Sequence, residues 1–593
     1  EGVVMFKAFV CLTAVVVLSS YGLVASSMQQ PPADKRGRAD TLYAENNFND
    51  ALKLYRELAK DAANTDKKLP DDLGTAIQCL NNLGLVHEAD ALVETSVENH
   101  KTNFRLLARA ATVYSGQIEN GGFVIAGKFE RGGHRGGGQW ASVADRDRVR
   151  SLQLLLAAIA LAEKDDTATA KEKADLWETL SQRIGSARYG EAWKLQDLTD
   201  LITLPDFEIN EGGRRGNYGR GGWGGENKGA PVDAEGKPVF HSVPDSWDVA
   251  KSDGERWRWA MAQIVRHDAK RRNQIDLEWA SFLQTQFGAG AAAIGGPPLV
   301  RANATDGEKG DDAPKDSGLW AAHELADTET IAKLTTGVKR FNLPDEFNHI
   351  VILNAVIARG GSEKRQALES LINERMNRHQ YPLAAGLLRQ VKKLASPGDD
   401  KKGVQARIDQ IVKSWMQIES SQTQPAGKGA TFDIRFRNGN HIAFDARPIN
   451  IDALLTDLRQ YIESKPEQLD HNRMQIQNIG WMLINGDREK YLGKSVANWE
   501  LDVKPPANHF DAMDTVTTPL QKAGAYWVTA SMRDGNAAQS VLWVADTAIS
   551  RKRVEDGTMY FVADAVTGAP IDRVDLEFFG WRQEYRQRRN YEI

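Results

Sequence analysis

The chain reads as an α + β multidomain protein, a long helical region followed by antiparallel β domains. Three observations predict this. Apolar residues recur at helical spacing from Ala39 to about Ser420. From Thr431 the pattern switches to strict alternation, with Phe432, Ile434 and Phe436 on one side of the chain. Stretches rich in Gly, Pro, Gln and Ser separate the blocks, and Ser421–Gly429 is the sharpest of them. At 593 residues, several cores are expected. A charged fraction of 26% with net charge −5 gives no global attraction to nucleic acid or anionic membrane.

In order, Met5–Ser20 carries one Lys and then an apolar run, and Ala25-Ser-Ser27 follows. This is the layout of a secretory signal peptide, so residues 1–27 are expected to be removed on export, leaving no transmembrane segment. Localisation in the periplasm, at the cell surface or outside the cell follows. Of the two cysteines only Cys79 then remains, and it lies among Ile77, Leu80 and Leu83 as a buried structural residue. Residues 28–38 read as a flexible leader.

Residues 39–205 form the first helical region. Leu42, Phe48, Ala51 and Tyr55 are answered 38 residues on by Leu80, Val86, Ala89 and Val93, a period suggesting tetratricopeptide-like helical hairpins. An irregular helical array fits equally well, because Ala39 is matched by the larger Ile77. Phe123–Trp140 reads as a Gly-rich loop. Helices are expected at Ala144–Glu163, Lys171–Ile184 and Gly190–Ile202. A Gly-rich loop spans 206–245. Its Arg and aromatic residues between Glu211 and Gly225 resemble RNA-binding segments, but the export signal and acidic chain favour a surface loop, so no nucleic-acid partner is expected.

Residues 246–420 form a second helical region, with helices at Ala250–Phe287, 321–336, 346–358, 364–378, 381–394 and 403–420 around a Gly/Pro/Asp-rich segment at 288–318. Trp257 and Trp259, two residues apart, cannot share a helix face, so at least one is expected at a helix junction. Residues 421–430 are a linker. In 431–550, Asn438-Gly439 turns the chain, Ile442 and Phe444 follow, and one helix carries Leu454, Leu455, Leu458 and Ile462. Strands are expected at 474–479, 481–484 and 499–503, and then at Gly524–Ala530, Val541–Ala545, Met559–Ala563 and Val574–Phe578. Asp534-Gly535 marks a hairpin. In Phe561–Ile571 a strand reaches Asp564, Thr567-Gly568 turns, and Pro570 admits the next strand.

Thr517-Thr-Pro-Leu-Gln-Lys-Ala-Gly-Ala-Tyr526, Leu542-Trp-Val-Ala-Asp546, Tyr560-Phe-Val-Ala-Asp-Ala-Val-Thr-Gly568 and Phe578-Phe-Gly-Trp581 form an ordered series. It resembles the N-terminal macroglobulin-type domains of bacterial alpha-2-macroglobulin-like proteins, over roughly residues 430–593. The resemblance implies β-sandwich domains, one at 431–550 and the start of another at 551–593, incomplete here. It also implies a broad endopeptidase inhibitor that traps proteases, with proteases as partners of the full-length parent. The Cys-Gly-Glu-Gln thioester motif of the family is not in this sequence, and no bait segment is identified, so the chain is expected to be an N-terminal part without inhibition of its own. Two other readings stand beside it: an exported scaffold whose helices bind a protein partner, and an RNA-associated protein.

No catalytic, cofactor-binding or metal-binding residue is predicted, and no cofactor or enzyme activity. His87-Glu88 and His323-Glu324 lack the second His of a zinc helix, and no nucleophile elbow or P-loop occurs. His471, His509, Asp470 and Asp511 read as solvated loop residues, and Asp71-Asp72 and Asp399-Asp400 as solvated turns.

Overall fold

The computed structural model describes residues 32–133, 136–209, 229–292, 299–301, 321–396, 398, 400–419, 421–464 and 488–578. The signal segment, the Arg/Gly segment 211–225, most of 288–318, Asp399, His471, Asp470 and the strands expected at 474–484 lie outside them. The described chain is α + β, helical first and then built of mainly antiparallel sheets. It divides into two compact units after Phe282, with Lys333–Gly337 joining the first unit. No described helix is long and apolar enough to cross a membrane.

In the first unit, α1 (Pro32–Ala44), α2 (Phe48–Lys60), α3 (Leu69–Leu83), α4 (Ala89–Asn99) and α5 (Phe104–Thr112) follow one another through short turns. Helix α1 begins seven residues before Ala39 and takes in residues 32–38 of the expected leader. The reason is Arg36, buried on α1, whose guanidinium donates to both oxygens of Asp72 at 2.7 Å. Asp71-Asp72 is thus the first turn of α3 and not a solvated turn, and Asp72 is buried. Ala51 and Ala89, the paired small positions of the 38-residue repeat, are both fully buried. Cys79 is free and buried, and burial pushes its thiol up to about 11.

The Gly-rich stretch after α5 is a sheet and not a loop. Strands β1 (Gly121–Ile125), β2 (Lys128–Arg131) and β3 (Gln139–Ser142) pair antiparallel, and β4 (Glu208–Ile209) adds to β3. Ile125 faces Lys128 across the two-residue turn Ala126-Gly127, where both φ angles are positive (48° and 80°), as a tight hairpin matching strand twist requires.

Helices α6 (Ala144–Lys164) and α7 (Ala170–Ile184) follow, the latter opened by a reciprocal cap between Thr169 and Glu172. Residues 190–202 form only one short 3-10 turn, Ala192–Gln196. The long helix expected at Ala250–Phe287 breaks at Asp268, giving α8 (Asp253–His267) and α9 (Arg272–Phe287). Trp257 is fully buried against the ring of Phe282 at 5.0 Å and of Trp279 at 5.6 Å, whereas Trp259 is half-buried.

In the second unit, but for its Lys333–Gly337 end, the helix expected at 321–336 is replaced by a two-stranded sheet of β6 (Glu329–Leu334) and β7 (Gly337–Asn342), after a three-residue strand β5 (Leu299–Arg301). The β-branched Thr330 and Ile331 suit it. Helices α10 (His349–Arg359), α11 (Lys364–Asn377), α12 (Tyr381–Leu394) and α13 (Lys401–Val412) come next, and the last three share a core including Leu368, Ala384, Leu388 and Ile408. Helix α13 ends at Val412, so residues 415–418 are strand β8 and not helix.

The β part has two sheets around one core. One orders β5, β13 (Asp511–Thr517), β10 (Thr431–Arg437) and β8 (Trp415–Ile418). The other orders β12 (Ala497–Asp502), β11 (His441–Pro448), β14 (Gly524–Met532), β15 (Ala537–Ala545) and β9 (Gln424–Pro425). Phe432, Ile434 and Phe436 from the first sheet and Ile442, Phe444, Val528 and Leu542 from the second are buried together. Asn438-Gly439 turns the chain from one sheet into the other. A Cβ at Gly439 would lie 1.8 Å from the sulfur of Met532, so any larger residue there requires that side chain to move. Strand β9 pairs with β15, so the expected linker 421–430 is partly woven into this sheet. Helix α14 (Ile451–Glu463) buries Leu454 and Leu458.

Strands β16 (Thr547–Val554) and β17 (Gly557–Asp564) form a separate hairpin, paired from Thr547↔Asp564 to Val554↔Gly557. Val574–Phe578 is not a strand. Its alternate Asp and Glu residues leave little to bury, and Phe578 stands 67% exposed, its ring 5.1 Å from that of Tyr560.

Candidate functional site

In the first unit, a cavity of about 220 Å³ is lined by Glu94, Tyr114, Arg146, Asp147, Arg150 and Leu204. Three elements position these groups. Glu94 lies on α4. Tyr114 lies on a π-helical turn, Val113–Gln117, that continues α5; such turns displace a side chain from its regular helical place and recur at functional sites. Arg146, Asp147 and Arg150 lie in the first two turns of α6, and the spacing of Arg146 and Arg150 puts them on one face.

The wall is a hydrogen-bonded charge network. Arg150 donates from Nε and Nη2 to the two oxygens of Glu94 at 3.0 and 2.6 Å, and the Tyr114 hydroxyl donates to Glu94 Oε1 at 2.7 Å. Burial would raise the Glu94 carboxyl, but the hydrogen bonds from Arg150 and Tyr114 outweigh it and hold its pKa below the usual range. Burial, and then the neighbouring Glu94 charge, push the Tyr114 hydroxyl well above its ordinary pKa, so it stays a donor.

Behind this wall Arg131 is clasped by two carboxylates. It donates from Nη1 and Nη2 to Asp147 at 2.7 and 2.9 Å, and from Nε and Nη2 to Asp90 at 3.1 and 2.8 Å, while Nη1 also reaches the Glu119 carbonyl at 2.7 Å. Burial works against its charge, yet the carboxylates outweigh burial and raise its pKa. Bidentate geometry makes such pairs strong and directional.

Arg146 alone differs. It faces the cavity half-buried and forms no hydrogen bond or ion pair among the described residues; it acts on Glu94 and Asp147 only through its charge. Leu204 supplies an apolar wall. Its segment is tied to α6 by Gln153, which donates to the Leu201 carbonyl at 3.0 Å, and to α8 by Asp253, which accepts from Thr199 N at 3.0 Å.

None of these residues was singled out by the sequence, and the structure disperses those that were considered. His87 is exposed, and Glu88 pairs instead with Arg56 at 2.7 Å. His323 and Glu324 stand 3.9 Å apart. His509 meets Asn438 Oδ1 at 2.8 Å, and Asp511 meets Arg437 at 2.7 Å. Among the described residues no group of three or more His, Cys, Asp or Glu could hold a metal ion. The signal that was available for the cavity is the Arg146-Asp-Arg-Val-Arg150 run, whose charges interrupt the start of an otherwise apolar helix.

At the other end of the chain the turn after β17 takes the expected form, but the strand expected to follow Pro570 does not form among the described residues. Asp564 Oδ1 accepts from the backbone N–H of Val566 and Thr567 at 3.0 and 2.7 Å and from the Thr567 hydroxyl at 2.8 Å. Gly568 follows at φ 71°, and Pro570 bridges back to Ala563. The backbone bond from Thr567, then its hydroxyl, hold the Asp564 carboxyl below the usual range.

No family model matches the chain, and no curated protein does. Among solved structures the similar class is bacterial alpha-2-macroglobulin. The solved structures that it is similar to are of the native alpha-2-macroglobulin of Escherichia coli. A crystal structure spanning its domains MG0-NIE-MG1 is 16% identical at a TM-score of 0.19, over 27% of this chain and 48% of that one. The chain thus spans about half the length of that structure. A second, spanning NIE-MG1, is 16% identical at 0.17, over 27% of this chain and 74% of that one. A cryo-EM reconstruction of the native conformation is 14% identical at 0.17, over 27% of this chain and 10% of that one.

Proposed function

We propose that this chain forms the N-terminal, helical and macroglobulin-type part of an exported alpha-2-macroglobulin-like endopeptidase inhibitor. The helical region, read as a tetratricopeptide-like array, serves as its interaction or positioning module, and the two sheets around one core as a β-sandwich domain. The observation that carries this reading is the order of motifs on successive hairpins. Gly524–Tyr526 opens β14, Leu542–Ala545 closes β15, and Tyr560–Gly568 runs through β17 into the Asp564–Pro570 turn. Export rests on the Met5–Ser27 layout, and proteases are partners of the full-length parent through the resemblance.

In the trap mechanism that the resemblance implies, cleavage of a bait segment releases strain and closes domains around the protease. This sequence holds neither an identified bait nor a Cys-Gly-Glu-Gln motif. The test measures endopeptidase cleavage of a large protein substrate and of a small chromogenic one. The protein isolated from its source should suppress cleavage of the large substrate only, and residues 28–593 should suppress neither. Stoichiometric inhibition by residues 28–593, or no inhibition by the natural protein, refutes the reading. A second reading, an exported scaffold binding a protein partner through its helices, is favoured by the charged cavity at α4 and α6.

A further inference from the structure

We propose that the cavity between α4, the π-helical turn and α6 binds a carboxylate carried on a short apolar stem, with Arg146 as the anion-binding group. The inference does not rest on the protease-inhibitor reading.

The first argument is donor accounting. Arg150 is committed to Glu94 and to Gln153 Oε1 at 3.2 Å, Tyr114 to Glu94, and Arg131 to Asp147, Asp90 and the Glu119 carbonyl. Arg146 keeps all five N–H donors uncommitted among the described residues and stands on the cavity wall. A guanidinium presents its donors as a planar fork, which matches the two oxygens of one carboxylate.

The second argument is field. Asp90, Glu94 and Asp147 carry three negative charges, and Arg131 and Arg150 two positive ones within the hydrogen-bonded network. Arg146 offsets the remainder without touching it: its charge adds to what holds the Glu94 carboxyl down and works against the burial that raises the Asp147 carboxyl. A bound carboxylate therefore meets no net negative wall. Both wall carboxylates are already engaged and cannot swing to take Arg146 without breaking their hydrogen bonds to Arg150 and Arg131.

The third argument is size and lining. A volume of about 220 Å³ is below the range of drug-sized pockets, roughly 300 Å³ and upward, and suits one side chain or chain end. Among the described residues Leu204 is the one aliphatic side chain on the lining, and its segment is anchored to α6 by Gln153. One charged end and one short apolar stem fit it, whether the carboxylate ends a polypeptide or belongs to a free short-chain acid.

The experiment is calorimetric and NMR titration of residues 28–593 with four probes: isobutyrate, an apolar tripeptide with a free C-terminal carboxylate, the same peptide amidated, and inorganic phosphate. Saturable binding of the free-acid peptide or of isobutyrate, and of neither phosphate nor the amide, is the expected result. Preference for the peptide identifies a chain end as the source; preference for isobutyrate identifies a free acid. R146A should weaken binding about tenfold to a hundredfold, the span of one hydrogen bond to a charged group. R146K should recover part of the loss, and L204A should weaken binding several-fold while keeping the preference for the free acid. Because Arg146 makes no hydrogen bond among the described residues and supports its neighbours only through its charge, R146A should fold with a slightly lowered Tm and R146K should melt like the parent, which separates lost binding from lost fold. Equal binding of acid and amide, binding of phosphate alone, unchanged affinity in R146A, or no saturation by either carboxylate overturns the proposal.

Discussion

Replacing Arg131 by Met tests whether the core of the first unit depends on a compensated buried charge. The Arg131 side chain is 1% exposed, Asp147 4% and Asp90 29%. Met keeps the aliphatic length and removes every donor, so two carboxylates lose their shared counter-ion and the Glu119 carbonyl loses a donor. Breaking a buried pair on one side costs about 3–5 kcal/mol, because the survivor stays buried and unmatched. The more exposed Asp90 recovers water, so the lower half of that span is expected. At roughly 2–4 °C per kcal/mol for a domain of this size, Tm should fall by about 10 °C. The assay is calorimetry, with amide exchange at β2 and the start of α6 locating the loss. R131M/D147L removes both partners and should be more stable than R131M alone. A cost for R131M below about 1 kcal/mol, or a double variant showing the sum of the two single losses, would refute the reasoning.

Four further outcomes follow from particular groups. The hydrogen bond from Arg105 first, against burial, holds the Glu172 carboxyl near about 2; its stabilisation of the α7 cap is complete above its ordinary 4.5 and is lost as pH falls through about 2, so an NMR titration midpoint at or above 4.5 contradicts it. Burial first, and then the Arg258 charge, depress His241 to about 4; its stabilising effect is full above 6.5 and fades as pH falls through about 4, and a ring-proton midpoint near 6.5 would count against this. Gly254→Ala should destabilise the first unit by about 1–3 kcal/mol despite the better helix former, because the new Cβ would lie 2.2 Å from the His241 ring; a raised Tm decides otherwise. Removing residues 547–593 takes away the exposed Ile549, Met559, Tyr560 and Phe561 together with the open edge of β16, so light scattering should show less self-association; more of it would mean that the hairpin protects the rest.

The sequence made the elements legible where local and tertiary demands agree. Alternation placed Phe432, Ile434 and Phe436 correctly because strand period and core burial coincide there. The Asp564–Pro570 turn was legible because its hydrogen bonds span only a few residues. The misreadings have physical causes of two kinds. Phe123–Trp140 looked like a loop because glycine content hid the two-residue turn Ala126-Gly127. Yet a Cβ at Gly122 would lie 2.1 Å from the Glu130 carbonyl, so glycine is there for close strand approach and not for looseness. Residues 321–336 looked helical because apolar spacing over so short a span does not separate the two periods.

The cavity belongs to a different class of difficulty. Its charges come from Glu94, Arg131, Asp147 and Arg150, which stand up to 56 residues apart along the chain. Each taken alone is an ordinary surface-type residue, and the Arg36–Asp72 pair shows the same thing 36 residues apart. Hydropathy records that such a residue is polar and not that a distant partner allows its burial. A buried ion pair is therefore invisible in one sequence until the fold is known. Arg146 shows the converse: on α6 it differs from Arg150 in nothing local, and it stays uncommitted among the described residues while Glu94 and Asp147 are held by Arg150 and Arg131. The residue most suited to a ligand is thus defined by what its neighbours are already doing, a property of the assembled network and not of any segment of the chain.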